Sequence, residues 1–180
     1  GGALAFIDLA GSVGILELPA ERLTIIPLAA TSVPRWMPDS SAVLVSGGPG
    51  APSEPAAASA PVAPLAPGDG DRVHRLYRSG TLAQPLQLGT GSRVVAIDPG
   101  GRVAYVTYDG SLWLTDDPER PAARRALPGV RVEAATFDPG GSMLVVEIAD
   151  GGRSTLEAFD PATGRRTLLV RDGWAPRWHP

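Results

Sequence analysis

The 180-residue sequence contains no cysteine, no lysine and no asparagine. Without cysteine the chain has no disulfide, no thiolate metal site and no cysteine nucleophile, while the redox compartment stays open because such a chain suits either side of a membrane. All 16 basic residues are arginine. This bias is typical of a GC-rich genome or, alternatively, of selection for guanidinium ion pairs.

Strong net charge and long apolar runs are also missing. The formal net charge is −3, which is too mild to indicate a nucleic-acid partner. No run of about 18 apolar residues is present, so no membrane insertion is predicted for this segment. No signal peptide is visible, but the chain begins with Gly1-Gly2 rather than methionine. We therefore expect a piece of a longer product, with room for a signal or membrane anchor upstream.

A proline that follows a short hydrophobic run recurs at positions 38, 99, 139 and 180, with gaps of 61, 40 and 41 residues. Four hydrophobic runs separated by turn residues fill each interval, and the 22 glycines and 19 prolines argue against long helices. Four antiparallel strands at a period of about 40 residues predict an all-β fold, a β-propeller of four-stranded blades.

The phase of the repeat divides residues 1–180 into blades. The predicted blades span approximately 1–31, 32–90, 91–130 and 131–173, and residues 174–180 supply the first strand of a next or closing blade. About four blades' worth of strands are therefore present. Propellers carry roughly four to eight blades, so the chain is either a closed four-bladed ring or, as we favour, part of a larger propeller.

Two stretches, 33–46 and 175–180, resemble the repeats of TolB-like propellers, which are also called WD40-like or PD40 repeats. The shared pattern is Pro-x-Trp-Ser-Pro-Asp-Gly before a hydrophobic strand. Met37 and His179 replace its serine, and Ser40 replaces its glycine. The aromatic position recurs as Trp36, Phe137 and Trp178, with Ile97 as the exception, and we expect it to pack between blades.

The resemblance implies a function as well as a fold. TolB-like propellers present one face to protein partners and commonly occur outside the cytoplasm of bacteria, either free in the periplasm or tethered to the membrane through another region. It therefore predicts a non-enzymatic module for protein–protein interaction or sensing. The alternative is an accessory gating propeller of a prolyl-oligopeptidase-like serine peptidase whose catalytic domain lies outside this chain.

Residues 47–70 form an insertion rich in alanine, proline and glycine within the second blade. This composition predicts a flexible, partly polyproline-like loop that cannot bury a core. Neutral expansion of an exposed hairpin loop explains it, because long loops cost little. The competing hypothesis is an arm that a partner recognises as a preformed extended segment.

Catalytic motifs are missing from the sequence. It has no Gly-x-Ser-x-Gly elbow, no Walker loop and no His-Glu-x-x-His motif. The two histidines, His74 in a predicted third strand and His179 in a turn, are interpreted as structural or solvated. These residues therefore predict no enzyme activity and no cofactor, and a small-molecule or metal site in the central channel is left as a third hypothesis.

Charged turn residues supply the remaining candidate sites. Asp116 and Asp117 offer oxygen ligands for Ca²⁺, but the alternate acidic spacing of a calcium loop is missing, so turn capping is the preferred interpretation. Arg35 and Arg177 recur at one blade position. Their guanidinium groups can receive a carboxylate or phosphate near the channel mouth, or pair with an acidic turn residue such as Asp39.

Overall fold

The computed structural model describes residues 2–26, 28–48, 72–89, 91–120 and 122–177. These residues form four antiparallel sheets and contain no helix, which confirms the all-β prediction. Consequently none of them belongs to a helix that is long and apolar enough to cross a membrane. The chain divides into two compact units, Gly1–Arg93 and Val94–Pro180, each built on two sheets.

Sheet 1 is a three-stranded meander in the first unit. Its strands are β1 (Ala3–Ile7), β2 (Val13–Glu17) and β3 (Arg22–Ile26), in that order. The turn between β1 and β2 is closed by the Asp8 carboxylate, whose Oδ1 accepts the amides of Ala10 at 2.9 Å and Ser12 at 2.8 Å. Such side-chain capping of a turn fixes its length and hence the register of the two strands.

Sheet 2 completes the first unit and has a broken first strand. Its strands are β4 (Ala29–Ala30), β5 (Arg35–Trp36), β6 (Ala42–Gly48) and β7 (Arg72–Tyr77). Both β4 and β5 pair with the same side of β6, and β7 pairs with the other side. Between β4 and β5 the amide of Ser46 donates to Ser32 Oγ at 2.8 Å instead of to a backbone carbonyl. That side chain replaces one rung of the ladder, so the strand divides in two.

Two predicted boundaries in this unit differ from the structure. Gly47 and Gly48 belong to β6, where they pair with Ala30 and Ala29. The predicted insertion therefore shortens to residues 49–70, which lie outside the described residues. Sheet 2 begins at Ala29, inside the predicted first blade. The amide of Leu28 donates to the carbonyl of Ile26 at 2.8 Å, and this tight turn leads the chain out of sheet 1 early.

The stretch that follows β7, at the place of the last strand of a blade, is irregular. The amides of Ala83 and Leu86 donate to the carbonyls of Arg75 at 2.9 Å and Val73 at 2.8 Å, so this stretch runs beside β7 without forming a continuous ladder. Pro85 lies between the two contacts and has no amide to donate, which explains the interruption.

Sheets 3 and 4 are four-stranded meanders in the second unit. Sheet 3 contains β8 (Arg93–Ile97), β9 (Val103–Val106), β10 (Leu112–Thr115) and β11 (Arg124–Leu127), and sheet 4 contains β12 (Arg131–Phe137), β13 (Leu144–Asp150), β14 (Arg153–Phe159) and β15 (Arg166–Arg171). Strand β9 ends at Val106, two residues before Tyr108. That side chain is 70% exposed because it lies in the turn closed by the amide of Thr107 and the carbonyl of Ser111.

Each unit has one apolar core to which both of its sheets contribute. In the first unit the core joins Val13, Ile15, Ile26, Leu28, Val43, Val45 and Leu76. In the second it joins residues of sheet 3, such as Leu112 and Leu114, to residues of sheet 4, such as Leu144, Val146 and Phe159. Trp36 packs on the first core and Phe137 lies in the second, as the recurring aromatic position predicts. Trp178 lies outside the described residues.

The aspartates that precede proline in the turns cap those turns, as the sequence indicates. Asp98 Oδ1 accepts the amide of Arg102 at 2.8 Å, Asp138 Oδ1 accepts that of Met143 at 2.7 Å, and Asp160 Oδ1 accepts that of Ala162 at 2.8 Å. The hydrogen bond from the Met143 amide is the main cause that lowers the pKa of Asp138.

Residues 174–177 do not form the strand that the repeat predicts. They are irregular, Trp174 is 74% exposed, and the amide of Ala175 donates to Glu147 Oε2 at 2.9 Å. Gly173 lies against Leu156, since a Cβ atom at Gly173 would be 3.1 Å from Leu156 Cδ1. The segment after β15 therefore folds back onto sheet 4 of its own unit.

The turn around Asp109 gives a prediction for acid stability. Hydrogen bonds from the Thr107 hydroxyl and from the Ser111 hydroxyl and amide lower the pKa of Asp109 from 3.8 to about 2. Because the folded pKa lies below the unfolded one, this stabilisation is complete above about pH 4 and is lost as the pH falls toward 2. The carboxylate is largely exposed, so we expect a contribution of about 1 kcal/mol or less after solvent screening.

The measurement is urea unfolding at pH 6.0, 4.0 and 2.5 for the wild type and the Asp109→Asn variant. The variant should be the less stable protein at pH 6.0, and the two curves should converge at pH 2.5. An equal gap at all three pH values would contradict the assignment of the stabilisation to the charged carboxylate.

Candidate functional site

The residues considered for catalysis and metal binding lie in a strand and in a turn where the structure describes them. His74 lies in β7 beside Val45 and is 9% exposed, and burial lowers its pKa. Asp117 caps its own turn by accepting the amide of Glu119 at 2.9 Å, and Asp116 contacts Arg102. Within the described residues no group of three or more histidine or acidic side chains is arranged to hold a metal ion. His179 lies outside those residues.

The two recurrent arginines are exposed and belong to different units. Arg35 lies in β5 of sheet 2, and Arg177 is the last described residue of the irregular segment after sheet 4. The Asp39 carboxylate, a suggested partner of Arg35, accepts the amide of Ser41 at 3.0 Å and its hydroxyl at 2.8 Å. These bonds lower the pKa of Asp39, and through them its carboxylate caps the turn.

A patch that the sequence analysis did not identify covers one side of sheet 1. The cross-strand register places Leu4, Leu16 and Leu23 in one row and Phe6, Gly14 and Ile25 in the next. Leu4, Leu23 and Ile25 are 53%, 54% and 45% exposed. We call the surface formed by Leu4, Phe6, Leu16, Leu23 and Ile25 the open face. Apolar patches of this kind on soluble proteins mark interaction sites.

Gly14 determines how the middle of the open face is filled. A Cβ atom at this position would overlap with the ring of Phe6, so the aromatic side chain occupies the space above the glycine. The ring therefore lies across β2 rather than standing out from it, and the patch is a broad apolar surface with the leucines at its edges. The opposite side of the sheet supplies Val13 and Ile15 to the core of the first unit.

The open face ends at an edge strand. Among the described strands, β1 pairs only with β2, whereas the corresponding strands β6, β9 and β13 each have a neighbour on both sides. An unpaired edge presents backbone amides and carbonyls that a further strand can bind. Sheet 1 is the one described sheet without a first strand.

The repeat indicates which residue pair is incomplete at this edge. The turns at 8–12 and 107–111 are closed by the same pattern of backbone hydrogen bonds, which aligns β1 with β9 and Leu4 with Val103. Val103 stands directly after the turn that joins the first and second strands of its sheet. Leu4 thus occupies the position of a second-strand residue whose first-strand neighbour is missing from the described residues.

In sheets 2 and 4 the same position has an aromatic neighbour. Val43 pairs with Trp36, and Leu144 pairs with Phe137. These aromatic side chains come from the first strand and lie beside the branched residue on one face of the sheet. The corresponding face of sheet 1 is the open face, where Leu4 has no such neighbour from a described strand.

Comparisons with known proteins place this architecture among solved structures. No family model matches the sequence, and no curated protein does. TolB from Acinetobacter baumannii is similar with a TM-score of 0.61 at 14% identity, covering 89% of this chain and 38% of that protein. The nidogen/laminin complex contains a chain similar with a TM-score of 0.65 at 12% identity, covering 96% and 62%.

A third similar structure is an oligogalacturonate lyase in complex with manganese, with a TM-score of 0.63, 14% identity, and coverage of 94% of this chain and 50% of the lyase. The chain therefore spans between 38% and 62% of the length of these three proteins. At such identities the similarity shows the fold alone. It agrees with the fold predicted from the Pro-x-Trp motifs: the chain is built of β-propeller blades.

Proposed function

We propose that the chain is a non-enzymatic propeller module for protein–protein interaction or sensing, and that a further strand binds along the β1 edge and the open face. The observation that carries the proposal is the incomplete pairing at Leu4, which is 53% exposed at an unpaired edge while its counterparts Val43 and Leu144 are fully buried beside an aromatic residue. That strand is extended, pairs with β1 and places an aromatic side chain on the open face, and it belongs either to a partner or to another part of the same protein.

The energetics favour a strand over a loose apolar contact. A strand that pairs with β1 satisfies backbone groups along the whole five-residue edge and buries alternate side chains on the face. Burial of apolar area contributes about 25 cal/mol per Å² of surface removed from water. Backbone pairing supplies the register, and the aromatic residue beside Leu4 supplies the specificity.

The test measures binding of a labelled peptide with the sequence of residues 131–138, a first strand that carries Phe137, by fluorescence anisotropy. The wild-type chain should bind it, and a peptide with serine at the position of Phe137 should bind at least tenfold more weakly, about 1.4 kcal/mol. The Leu4→Glu variant should lose binding, because it places a charge where the aromatic ring would lie. Circular dichroism verifies that the variant is folded.

The matched control is Leu169→Glu, which introduces the same charge at a leucine that is 51% exposed on β15. Binding should be unchanged in this variant. Equal binding by the wild type and Leu4→Glu would refute the site, and equal binding of the two peptides would refute the aromatic contact.

Two further parts of the proposal do not involve the open face. Arg35 and Arg177 are proposed to receive a carboxylate or phosphate group of a partner, since both are exposed and occupy the same repeat position. A bacterial, extracytoplasmic or periplasmic location is proposed on the TolB-like resemblance. The lyase among the similar structures means that the propeller fold alone does not separate binding modules from enzymes, so the gating-propeller alternative stays a prediction.

A further inference from the structure

A cleft of about 520 Å³ opens within the second unit, which contains no residue of the open face. Sheet 3 contributes Arg102, Asp116 and Arg124 to its wall, and sheet 4 contributes Gly141, Asp160 and Pro161. The cleft lies where the turns between first and second strands and between third and fourth strands of both sheets come together. The guanidinium groups of Arg102 and Arg124 are its cationic groups, and they can bind an anion.

Arg124 is positioned by one hydrogen bond across the cleft. Its Nη2 donates to the carbonyl of Pro161 at 2.7 Å, which links β11 to the last turn of sheet 4. A guanidinium group has five N–H donors in a planar fork. The residue is exposed, and within the described residues this is the one hydrogen bond of its side chain, so the remaining guanidinium donors are available to a ligand.

Arg102 contacts two carboxylates that differ sharply in burial. Its Nε is 3.6 Å from Asp98 Oδ2, whose side chain is 6% exposed, and 3.0 Å from Asp116 Oδ1, whose side chain is 89% exposed. Asp98 also accepts the backbone amide of Arg102 and is thus a fixed part of the turn. An exposed pair such as Arg102–Asp116 contributes little to stability, so a competing carboxylate can replace Asp116.

The third carboxylate near the cleft, that of Asp160, already accepts hydrogen bonds within its own turn. Asp160 accepts the amide of Ala162 at 2.8 Å and the hydroxyl of Thr163 at 2.6 Å within its own turn. Asp116 is therefore the one lining carboxylate among the described residues that both contacts a cleft arginine and is exposed enough to move away. When it does, the cleft presents two arginines to an anion.

The spacing of the two arginines indicates the size of that anion. Arg124 pairs with Leu114 on β10, and Leu114 pairs with Ala104 on β9, two residues beyond Arg102. Two strand spacings and two residues along a strand separate their Cα atoms by about 12 Å. This separation suits a ligand with several carboxylates along an extended chain better than one small ion.

We propose that the cleft binds an acidic peptide segment, one carboxylate of which replaces Asp116 on Arg102 while another binds Arg124. Bidentate pairing between guanidinium and carboxylate supplies the geometry of both contacts. Asp116 occupies the cleft when the peptide is absent and competes with it. The site shares no residue with the open face, so it stands or falls independently of the function proposed above.

The experiment measures binding of fluorescein-labelled hexaglutamate to the 180-residue chain by anisotropy at low salt, with hexaglutamine as the uncharged control peptide. Arg124→Gln should weaken hexaglutamate binding at least tenfold. Asp116→Asn should strengthen it several-fold, because the substitution removes the competing charge and leaves the shape of the side chain. Hexaglutamine should not bind.

The matched control is Arg153→Gln, which removes the same charge at an exposed arginine of β14 outside the cleft. It should leave the affinity within about twofold of the wild type. Equal weakening by Arg153→Gln and Arg124→Gln would reduce the binding to nonspecific charge attraction and overturn the proposal. No gain in affinity for Asp116→Asn, or displacement of the peptide by an equal concentration of inorganic phosphate, would overturn it as well.

Discussion

Replacing Phe159 with alanine should lower the free energy of unfolding by about 3–5 kcal/mol, the range for deleting a buried aromatic ring. Phe159 is 2% exposed and closes β14, where it pairs with Leu144 of β13 and Arg166 of β15. It is the largest of the fully buried side chains and belongs to the core that joins sheets 3 and 4. Truncation would leave a cavity shared by both sheets, which neighbouring strands held in a ladder cannot close.

Urea denaturation followed by tryptophan fluorescence measures the effect. The control is Leu169→Ala on the outer strand β15, where the side chain is 51% exposed and the expected loss is below about 0.5 kcal/mol. A similar small loss for Phe159→Ala would mean that sheets 3 and 4 do not share the core through this residue. A change in the denaturant slope would instead indicate altered compactness.

The strands and turns could be predicted because each has a local cause. Asp-Pro-Gly-Gly and Asp-Gly sequences fix the turns through carboxylate capping and left-handed glycines such as Gly101 and Gly110, with φ of 91° and 81°. Such turns set strand ends closely, since β8 ends at Ile97 directly before Asp98-Pro99-Gly100-Gly101 and β10 begins at Leu112 shortly after Asp109-Gly110. The divided first strand of sheet 2 was missed, because it depends on a hydrogen bond from Ser46 to Ser32, fourteen residues away.

The candidate surfaces were harder to predict for the same reason. Leu4, Leu16 and Leu23 become one row only when the register of three strands is known, and that register depends on two turn lengths. In the sequence these leucines look like ordinary alternating strand residues. The cleft likewise needs Arg102 and Asp116, fourteen residues apart, to meet across β9 and β10. Arg35 and Arg177 were predicted as site residues because their shared motif position can be read from a sequence, whereas the exposure of a side chain cannot.

The Gly47→Ala variant should lose about 2 kcal/mol of stability, within the range for forcing extra volume into a packed site. A Cβ atom at this position would lie 2.6 Å from the carbonyl oxygen of Ala29 and 3.0 Å from Cγ of Leu28. The first of these is a backbone atom, so the clash cannot be relieved by a side-chain rotation. The strand β4 must move away, and it is held to β6 by only two residue pairs.

This prediction also tests the boundary of the insertion. If Gly47 were part of a loop, as its composition indicates, alanine would be neutral or slightly stabilising through the entropy of the unfolded chain. In a strand packed against Ala29 it must destabilise. Gly2→Ala is the control, because a Cβ atom there would meet nothing beyond its chain neighbours within 4 Å and its φ is not left-handed. Thermal unfolding of both variants distinguishes strand from loop. A loss of stability confined to Gly47→Ala would show that Gly47 belongs to β6 and not to the insertion.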